Sequence, residues 1–478
     1  MRSSRTTSPS DSPASPASPA WELLLPAASG PQRGRGRELG AALRQAVREG
    51  RLTAGTRLPS TRDLARDLRV SRSLVSELYG QLIAEGYLTS RQGSGTWVAA
   101  LSPTPSPPAV AAPQPVPPPV TDFRPGLPDL ALFPRAAWSA AHRSALTALP
   151  DAALDYPDPQ GLPELRAALA ELLARRRGVV VAPERVLVCS GVAQTLTLLG
   201  RVLRARGHRT VALEDPGSLP QYPLLTAAGL RPVPVPVDAE GLDPGALAAS
   251  GARAAVITPA HHFPTGVVHS PARRAALLSW AAADRGLLVE DDYDGDFRYD
   301  RAPVGALQGL APDLVLYTGS VSKSLAPGLR LGWMVPPADL LDELVEAKRV
   351  TDLGNAVAEQ AAFAAFLRSG RYDRQLRLCQ RRYRERRDAL IEALTAAVPG
   401  VRVSGIAAGL HLIAEFPFPL PEAVTAAAGV WLRPLSDYCA EERPRDATRF
   451  VLGYAHLTRP DIQRAFARLA ESLRSVAI

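Results

Sequence analysis

The chain has 478 residues, 46% hydrophobic and 21% charged, with 55 Lys+Arg against 47 Asp+Glu and a formal net charge of +8. That length exceeds one hydrophobic core and predicts two or three domains of ordinary soluble composition. No apolar run is long enough to span a bilayer. Three widely separated cysteines, Cys189, Cys379 and Cys439, argue against a disulfide framework or a cysteine metal site and for reduced thiols in a cytoplasm.

Residues 1–20 are rich in Ser, Pro and Ala without an apolar centre, which predicts a disordered tail rather than a signal peptide. Residues 21–100 carry 12 arginines against 7 acidic residues and form a small basic module. Leu39, Leu43, Ala46 and Val47 make an apolar stripe at helical spacing, and Gly50 follows it. Ser60 is an expected N-cap, with Asp63 three residues on and Leu64, Ala65 and Leu68 turned inward. Ser71 caps a third expected helix carrying Val75, Leu78, Leu82 and Ile83, and Gly86 ends it. Tyr87–Thr89 and Thr96–Val98 then bracket the glycine-rich tip Gln92–Gly95 as a hairpin.

Three helices and a hairpin are the layout that places one helix in the DNA major groove and a wing beside it. Arg62, Arg72 and Arg91 fall at the starts of helices two and three and in the wing. Ser60, Ser71 and Ser73 offer hydroxyls and helix N-termini to phosphates. A small helical docking domain with solvated arginines is the alternative.

Residues 101–121 are dominated by proline and predict an extended linker. In residues 122–478, apolar runs at Val186–Cys189, Thr210–Leu213, Ala255–Thr258, Leu287–Val289 and Leu314–Tyr317 alternate with helical stretches. Such runs suit the strands of a parallel sheet covered on both faces, with ligands bound just beyond the strand ends. Three polar clusters lie there. Ser190–Gln194 precedes a helix over Thr195–Leu203 and suits a phosphate, although small residues also make ordinary turns. Glu290-Asp291-Asp292-Tyr293-Asp294 provides a carboxylate able to hold a pyridine nitrogen protonated and a hydroxyl for a phenolic oxygen. A metal site or a solvated acidic turn is the alternative; no His/Cys ligand spacing accompanies the cluster, so no metal is expected.

The third cluster, Gly319–Arg330, contains Lys323, one of only two lysines in the chain. Where charge alone is needed this chain uses arginine, which keeps its proton; a buried lysine can lose it and attack a carbonyl. Ser320, Ser322 and Arg330 surround Lys323 with donors for a dianionic phosphate. The other lysine, Lys348, reads as a solvated helical charge. Arg175–Arg177 and the arginine-rich stretch 371–389 read as solvated or subunit-facing helices rather than a second DNA surface.

Over residues 37–98, the strings Leu58–Ala65, Val70–Ser73, Glu85–Leu88 and Arg91–Thr96 resemble the GntR superfamily DNA-binding domain. That resemblance implies DNA contacts from Arg62, Ser71, Arg72 and Ser73, with Gly93 in the wing. The strings Asp155–Gly161, Glu214–Gly217, Thr258–Gly266, Glu290–Tyr293 and Arg330–Trp333 resemble fold-type I pyridoxal 5′-phosphate (PLP) enzymes of the aminotransferase class. The whole chain therefore resembles the MocR subfamily of GntR regulators. The fold implied is a winged helix-turn-helix plus an α/β transferase-like domain, with a mainly parallel sheet and a smaller C-terminal α+β part.

The resemblance implies Lys323 as the Schiff-base residue, Asp291 at the pyridine nitrogen and Tyr293 at the phenolic oxygen. It further implies Gly191, Val192, Ser320, Ser322 and Arg330 around the phosphate and Tyr156 reaching in from a partner subunit. Arg449 would clamp an effector carboxylate, or else be a surface arginine at a strand start. Ser218 stands where the family often has a ring-stacking aromatic, leaving Tyr222 as a substitute, and Phe263 replaces the usual asparagine of the Asn-Pro-Thr-Gly turn. Glu290 and Asp292 flank Asp291 and are the alternatives for that role. The implied protein is a cytoplasmic homodimeric regulator that binds a double-stranded DNA operator and senses an amino-acid-like effector or PLP itself. An active aminotransferase with an accessory DNA-binding domain is the alternative.

Overall fold

A computed structural model describes residues 34–91, 94–101, 121–300, 304–440 and 447–476. These fall into two compact units, one within Met1–Val116 and one within Pro117–Ile478. Gly93, the 1–20 tail and most of the 101–121 linker lie outside the described residues.

The smaller unit is built from α1 (Arg35–Arg48), α2 (Thr61–Asp67), α3 (Arg72–Ala84) and the antiparallel strands β1 (Leu88–Arg91) and β2 (Gly95–Val98). Local sequence sets its helix starts. Ser60 Oγ accepts the Asp63 N–H at 3.2 Å and Ser71 Oγ accepts the Leu74 N–H at 3.2 Å, satisfying N–H groups the first turn leaves open. Gly86 leaves α3 with φ +82°, the left-handed conformation that ends helices. Leu39, Leu43, Ala46, Leu64, Val75, Leu78, Leu82, Leu88 and Val98 share one core, and Arg44 holds Glu85 with two hydrogen bonds of 2.6 and 2.7 Å.

The larger unit opens with β3 (Thr121–Asp122), α4 (Arg135–Ala148) and α5 (Pro163–Arg177). Next come β4 (Leu187–Cys189), α6 (Val192–Ala205), β5 (Thr210–Asp215), α7 (Gln221–Ala227), β6 (Arg231–Asp238), β7 (Gly241–Leu242) and α8 (Pro244–Ala249). These lead to β8 (Ala254–Ile257), α9 (Pro271–Asp284), β9 (Leu287–Asp291), β10 (Val315–Ser320) and β11 (Gly332–Val335). The main sheet has the order β4-β11-β10-β9-β8-β5-β6-β7. Its strands run one way except β7 and β11, each antiparallel to its neighbours. Side chains alternate between two cores: Leu316, Val289, Val256 and Leu213 face one, while Val315, Leu288, Ala255 and Ala212 face the other.

The chain finishes with α10 (Ala338–Asp352), α11 (Val357–Arg368), α12 (Arg371–Ala397), β12 (Arg402–Ser404), β13 (His411–Glu415), α13 (Glu422–Ala427), β14 (Val430–Trp431), β15 (Arg433–Pro434), β16 (Arg449–Gly453) and α14 (Arg459–Val476). A second sheet, β12-β13-β16-β15, is antiparallel throughout. The arginine-rich helix α12 is not simply solvated. It buries Tyr372, Leu376, Cys379, Tyr383, Leu390 and Leu394, and its Arg386 pairs with Asp129 at 2.5 Å.

Two charges read as solvated are buried. Lys348 has a fully buried side chain whose Nζ lies 3.0 Å from Asp352 Oδ2, one helical turn away. Arg177, 3% exposed, grips Asp292 through bonds of 2.6 and 3.2 Å. Both sit on helices packed against the main sheet, where a buried charge persists only when it is paired.

Candidate functional site

The C-terminal ends of β9 and β10 bring the expected residues of the larger unit together. Lys323 lies in the turn after β10, and its Nζ donates a 2.6 Å hydrogen bond to the Gly126 carbonyl. Burial lowers the pKa of this ammonium, opposed first by Asp294 and then by Asp291. The three consecutive carboxylates around Asp291 have separate destinations, because alternate strand residues face opposite ways. Glu290 accepts the Leu307 and Gln308 N–H groups at 2.9 and 3.0 Å. Asp292 is held by Arg177 and by the Tyr317 hydroxyl at 2.5 Å. Asp291 alone of the three keeps an oxygen, Oδ1, that is buried without a hydrogen-bond partner, while Gln221 donates to its Oδ2 at 3.2 Å. Burial, then the neighbouring Asp292, pushes its carboxyl up to about 7, with Lys323 opposing.

Tyr293 follows on the same loop. Its hydroxyl lies 3.1 Å from His261 Nδ1, and burial raises its pKa well above 10. Phe263 packs edge-on against Tyr293, His411 and Tyr438 with ring centroids 6.1, 5.2 and 5.4 Å apart. Tyr222, on α7, has a buried hydroxyl without a partner and packs on the core beside β5.

The phosphate-binding candidates converge beyond β4 and β10. Gly191 caps α6 with φ +91°, and Val192 begins the helix, so N–H groups of the first turn remain open there. Arg330 donates to the Ser190 carbonyl, and its guanidinium lies 3.7 Å from where a Gly191 Cβ would stand. Ser320 Oγ accepts the Ser322 N–H at 3.3 Å. A Cβ on Gly332 would fall 2.6 Å from Gly191 Cα, so only glycine in β11 lets the loop lie this close. A cavity of about 220 Å³ opens beside Ser190 and Arg330 and is also lined by Asn355.

These residues fit PLP: an amine, a buried carboxylate with one partnerless oxygen able to hold a protonated pyridine, and a phosphate cradle of helix N–H groups, hydroxyls and one arginine. Two expected residues are exposed. Tyr156 is 82% exposed. Arg449 is exposed at the first residue of β16, opposite Glu415. Residues not singled out from the sequence are Gln221 on Asp291, the Asp294–His261 pair behind Tyr293, and Asn355, whose amide reaches Ser190 Oγ at 3.0 Å.

In the smaller unit, Arg62 is the second residue of α2 and Arg72 the first of α3, and both are exposed. Ser71 caps α3 and contacts Ser73 Oγ at 3.1 Å, leaving the Ser73 hydroxyl at the exposed helix start. Arg91 and Arg57 lie over the Trp97 ring at 5.5 and 5.8 Å, stiffening the base of the wing.

Residues 35–98 match the model of the gntR family of bacterial regulatory proteins, and residues 123–469 match aminotransferase class I and II. The probable rhizopine catabolism regulatory protein MocR of Rhizobium meliloti is 34% identical over 88% of this chain and 90% of its own length. The pyridoxine biosynthesis transcriptional regulator PdxR of Corynebacterium glutamicum is 33% identical over 84% of this chain and 88% of its own. A 2-aminoadipate transaminase of Thermus thermophilus is 31% identical over 75% of this chain and 91% of its own. Among solved structures, α-aminoadipate aminotransferase LysN of the same organism, complexed with N-(5′-phosphopyridoxyl)-L-leucine, shares 29% identity and a TM-score of 0.65 over 74% of this chain and 92% of its own. A basic helix-turn-helix unit with capped, exposed helix starts, joined to an aminotransferase fold, makes this chain a member of the gntR family of transcriptional regulators, in the MocR-type branch that carries an aminotransferase class I and II domain.

Proposed function

We propose that this regulator binds PLP on Lys323 and reads an amino-acid-like effector, or PLP itself, through that site to change how paired DNA-binding units engage an operator. The observation that supports it most directly is Asp291. A buried carboxylate with a partnerless oxygen, three residues before a second buried carboxylate and within the field of Lys323, suits a cationic pyridine. Bound there, PLP supplies an electron sink and a reactive aldehyde. Lys323 supplies the amine, Tyr293 a hydroxyl for the phenolic oxygen, and Gly191, Val192, Ser320, Ser322 and Arg330 hold the phosphate.

Tyr156 supports a homodimer, since so exposed an aromatic is suited to complete a site on a second subunit, and a winged helix reads one half-site of a repeated operator. Arg449 would clamp the effector carboxylate, and coupling to DNA requires that the effector bind two arrangements of the protein with different affinity. A cytoplasmic location accords with the DNA-binding unit, and no helix among the described residues is long and apolar enough to cross a membrane.

The experiment pairs wild type with Lys323→Arg. The wild type should acquire a visible band with PLP, carry the cofactor mass on the Lys323 peptide after borohydride reduction, and bind operator. The variant should lose band and mass yet retain operator binding. A reducible band in the variant refutes Lys323. The likeness to 2-aminoadipate transaminase favours a second reading, a working aminotransferase with a DNA-binding unit; steady turnover of an amino-acid and keto-acid pair would establish it, whereas an operator response without turnover establishes the first.

A further inference from the structure

Tyr293 and Asp294 follow β9, and both meet His261, which enters from the loop after β8. His261 Nδ1 lies 2.8 Å from Asp294 Oδ2 and 3.1 Å from the Tyr293 hydroxyl, with the histidine and aspartate side chains only 3% and 1% exposed. The backbone locks this pair. At Gly409, φ +68°, a Cβ would fall 2.2 Å from His261 Cε1 and 2.4 Å from Asp294 Oδ2. His411, at the start of β13, presents its ring 5.2 Å from His261, and its Nε2 bonds the Pro264 carbonyl at 3.1 Å. The other charged or titratable groups acting on these residues are His262 beside His261, Lys323, Asp291, Tyr299 and Tyr454 beside Asp294, and Asp291 and Glu214 toward Tyr293, on which Asp294 itself acts most strongly of the charged groups.

One ring nitrogen faces two oxygens, and it carries either a proton or a lone pair. With Asp294 ionised, the shorter and charge-assisted bond keeps the proton on Nδ1, directed at the carboxylate. The nitrogen then has no lone pair for the phenol, and the Tyr293 proton is left to turn elsewhere. Without Asp294, Nδ1 becomes free to accept that proton. The Asp294 carboxylate is already within reach of the phenol, and the His261 N–H competes for it; without His261, nothing draws that carboxylate away from the Tyr293 proton.

We propose that Asp294 and His261 act as positioning residues that keep the hydroxyl proton of Tyr293 available to a ligand oxygen on the Lys323 side, so that the three side chains form one proton-directing unit. The proposal rests on the PLP reading and assigns a task to two residues beyond it. Because the unit lies at the site's phenolic end, its readout is the pH at which the visible spectrum of the PLP-loaded full-length protein changes.

Tyr293→Phe should raise that midpoint by about one pH unit, the value of one lost hydrogen bond to a charged acceptor. His261→Leu should raise it similarly. His261→Asn, whose amide can donate from the Nδ1 position, should restore most of the wild-type value. In a Tyr293→Phe background, His261→Leu should add nothing. A wild-type midpoint in His261→Leu, or an undiminished shift in the double variant, overturns the proposal. If His261→Leu does not fold by circular dichroism, Asp294→Asn is read as its coupling to Tyr293→Phe, since its raw shift also reports a lost charge near Lys323; zero coupling overturns the proposal. A wild type with no PLP-dependent band removes the cofactor reading itself, whereas a band that ignores these substitutions removes only the proton-directing unit.

Discussion

Asp291→Asn should stabilise the cofactor-free protein while weakening cofactor binding, and the gain should depend on pH. In the folded chain burial, then Asp292, pushes the Asp291 carboxyl up to about 7 from an ordinary 3.8. A group that holds its proton more tightly when folded contributes no penalty below about pH 4. Between the two values the unfolded state releases a proton that the folded state retains, so stability falls as pH rises and the loss is complete above about pH 7. At about 1.36 kcal/mol per unit, the full loss is on the order of 4 kcal/mol. The attraction of Lys323 is already contained in that shift, so Asp291→Asn should recover about 2–4 kcal/mol at pH 8 and almost nothing at pH 4. The start near zero follows because a protonated carboxyl and an amide present similar groups to Gln221 and to the space beside Oδ1. Urea unfolding of the larger unit by tryptophan fluorescence, at several pH values without PLP, measures the difference through its midpoint. A variant no more stable than wild type at pH 8, or equally more stable at pH 4 and 8, would refute the account of Asp291 as the buried carboxylate with an unsatisfied oxygen.

Arg72→Ala should weaken operator binding by about 1–3 kcal/mol, roughly five- to 150-fold, if Arg72 contacts a guanine edge. Fluorescence anisotropy measures this, and the unfolding midpoint should not move because the side chain is exposed at the first turn of α3. Lys348→Met should cost about 1–3 kcal/mol, since it removes a buried cation from an Asp352 that is 30% exposed and can rehydrate. Urea unfolding at pH 7 reports it, and a variant as stable as wild type would mean that the pair contributes nothing.

What the sequence revealed was what local chemistry determines. Ser60 and Ser71 are legible as caps because the groups they satisfy lie three residues away in the chain. The continuous apolar runs are legible as strands because both faces of the main sheet are covered. Long-range geometry was not legible. Nothing local to Gly332–Val335 says that β11 inserts antiparallel between β4 and β10, although that insertion brings Gly332 against Gly191. Which of Glu290, Asp291 and Asp292 serves the site depends on which face each presents, and a one-residue register change would exchange them. Arg177 and Lys348 share helices with solvated charges, so their burial shows only once the sheet behind them is in place. His261 carried a usable signal. It is one of seven histidines in the chain and lies within a string that resembles the family, but its aspartate partner comes from another loop.

The two lysines make a common physical point by different routes. A chain that meets nearly every need for positive charge with arginine retains lysine where a compact, losable charge is required. At Lys323 the requirement is chemical, since a half-buried amine whose pKa is lowered can reach the neutral form that attacks a carbonyl, and a guanidinium cannot. At Lys348 the requirement is steric. The ammonium is fully buried, reaching Asp352 at 3.0 Å and Gln194 Oε1 at 3.3 Å, in a space where a planar fork of five donors would leave several unsatisfied. Gln194 in turn accepts the Ser190 N–H at 2.8 Å through that same oxygen, so the buried lysine braces the loop that carries Gly191 and Val192. One lysine is proposed to make the covalent link to the cofactor, and the other holds the strand-to-helix turn proposed to receive its phosphate.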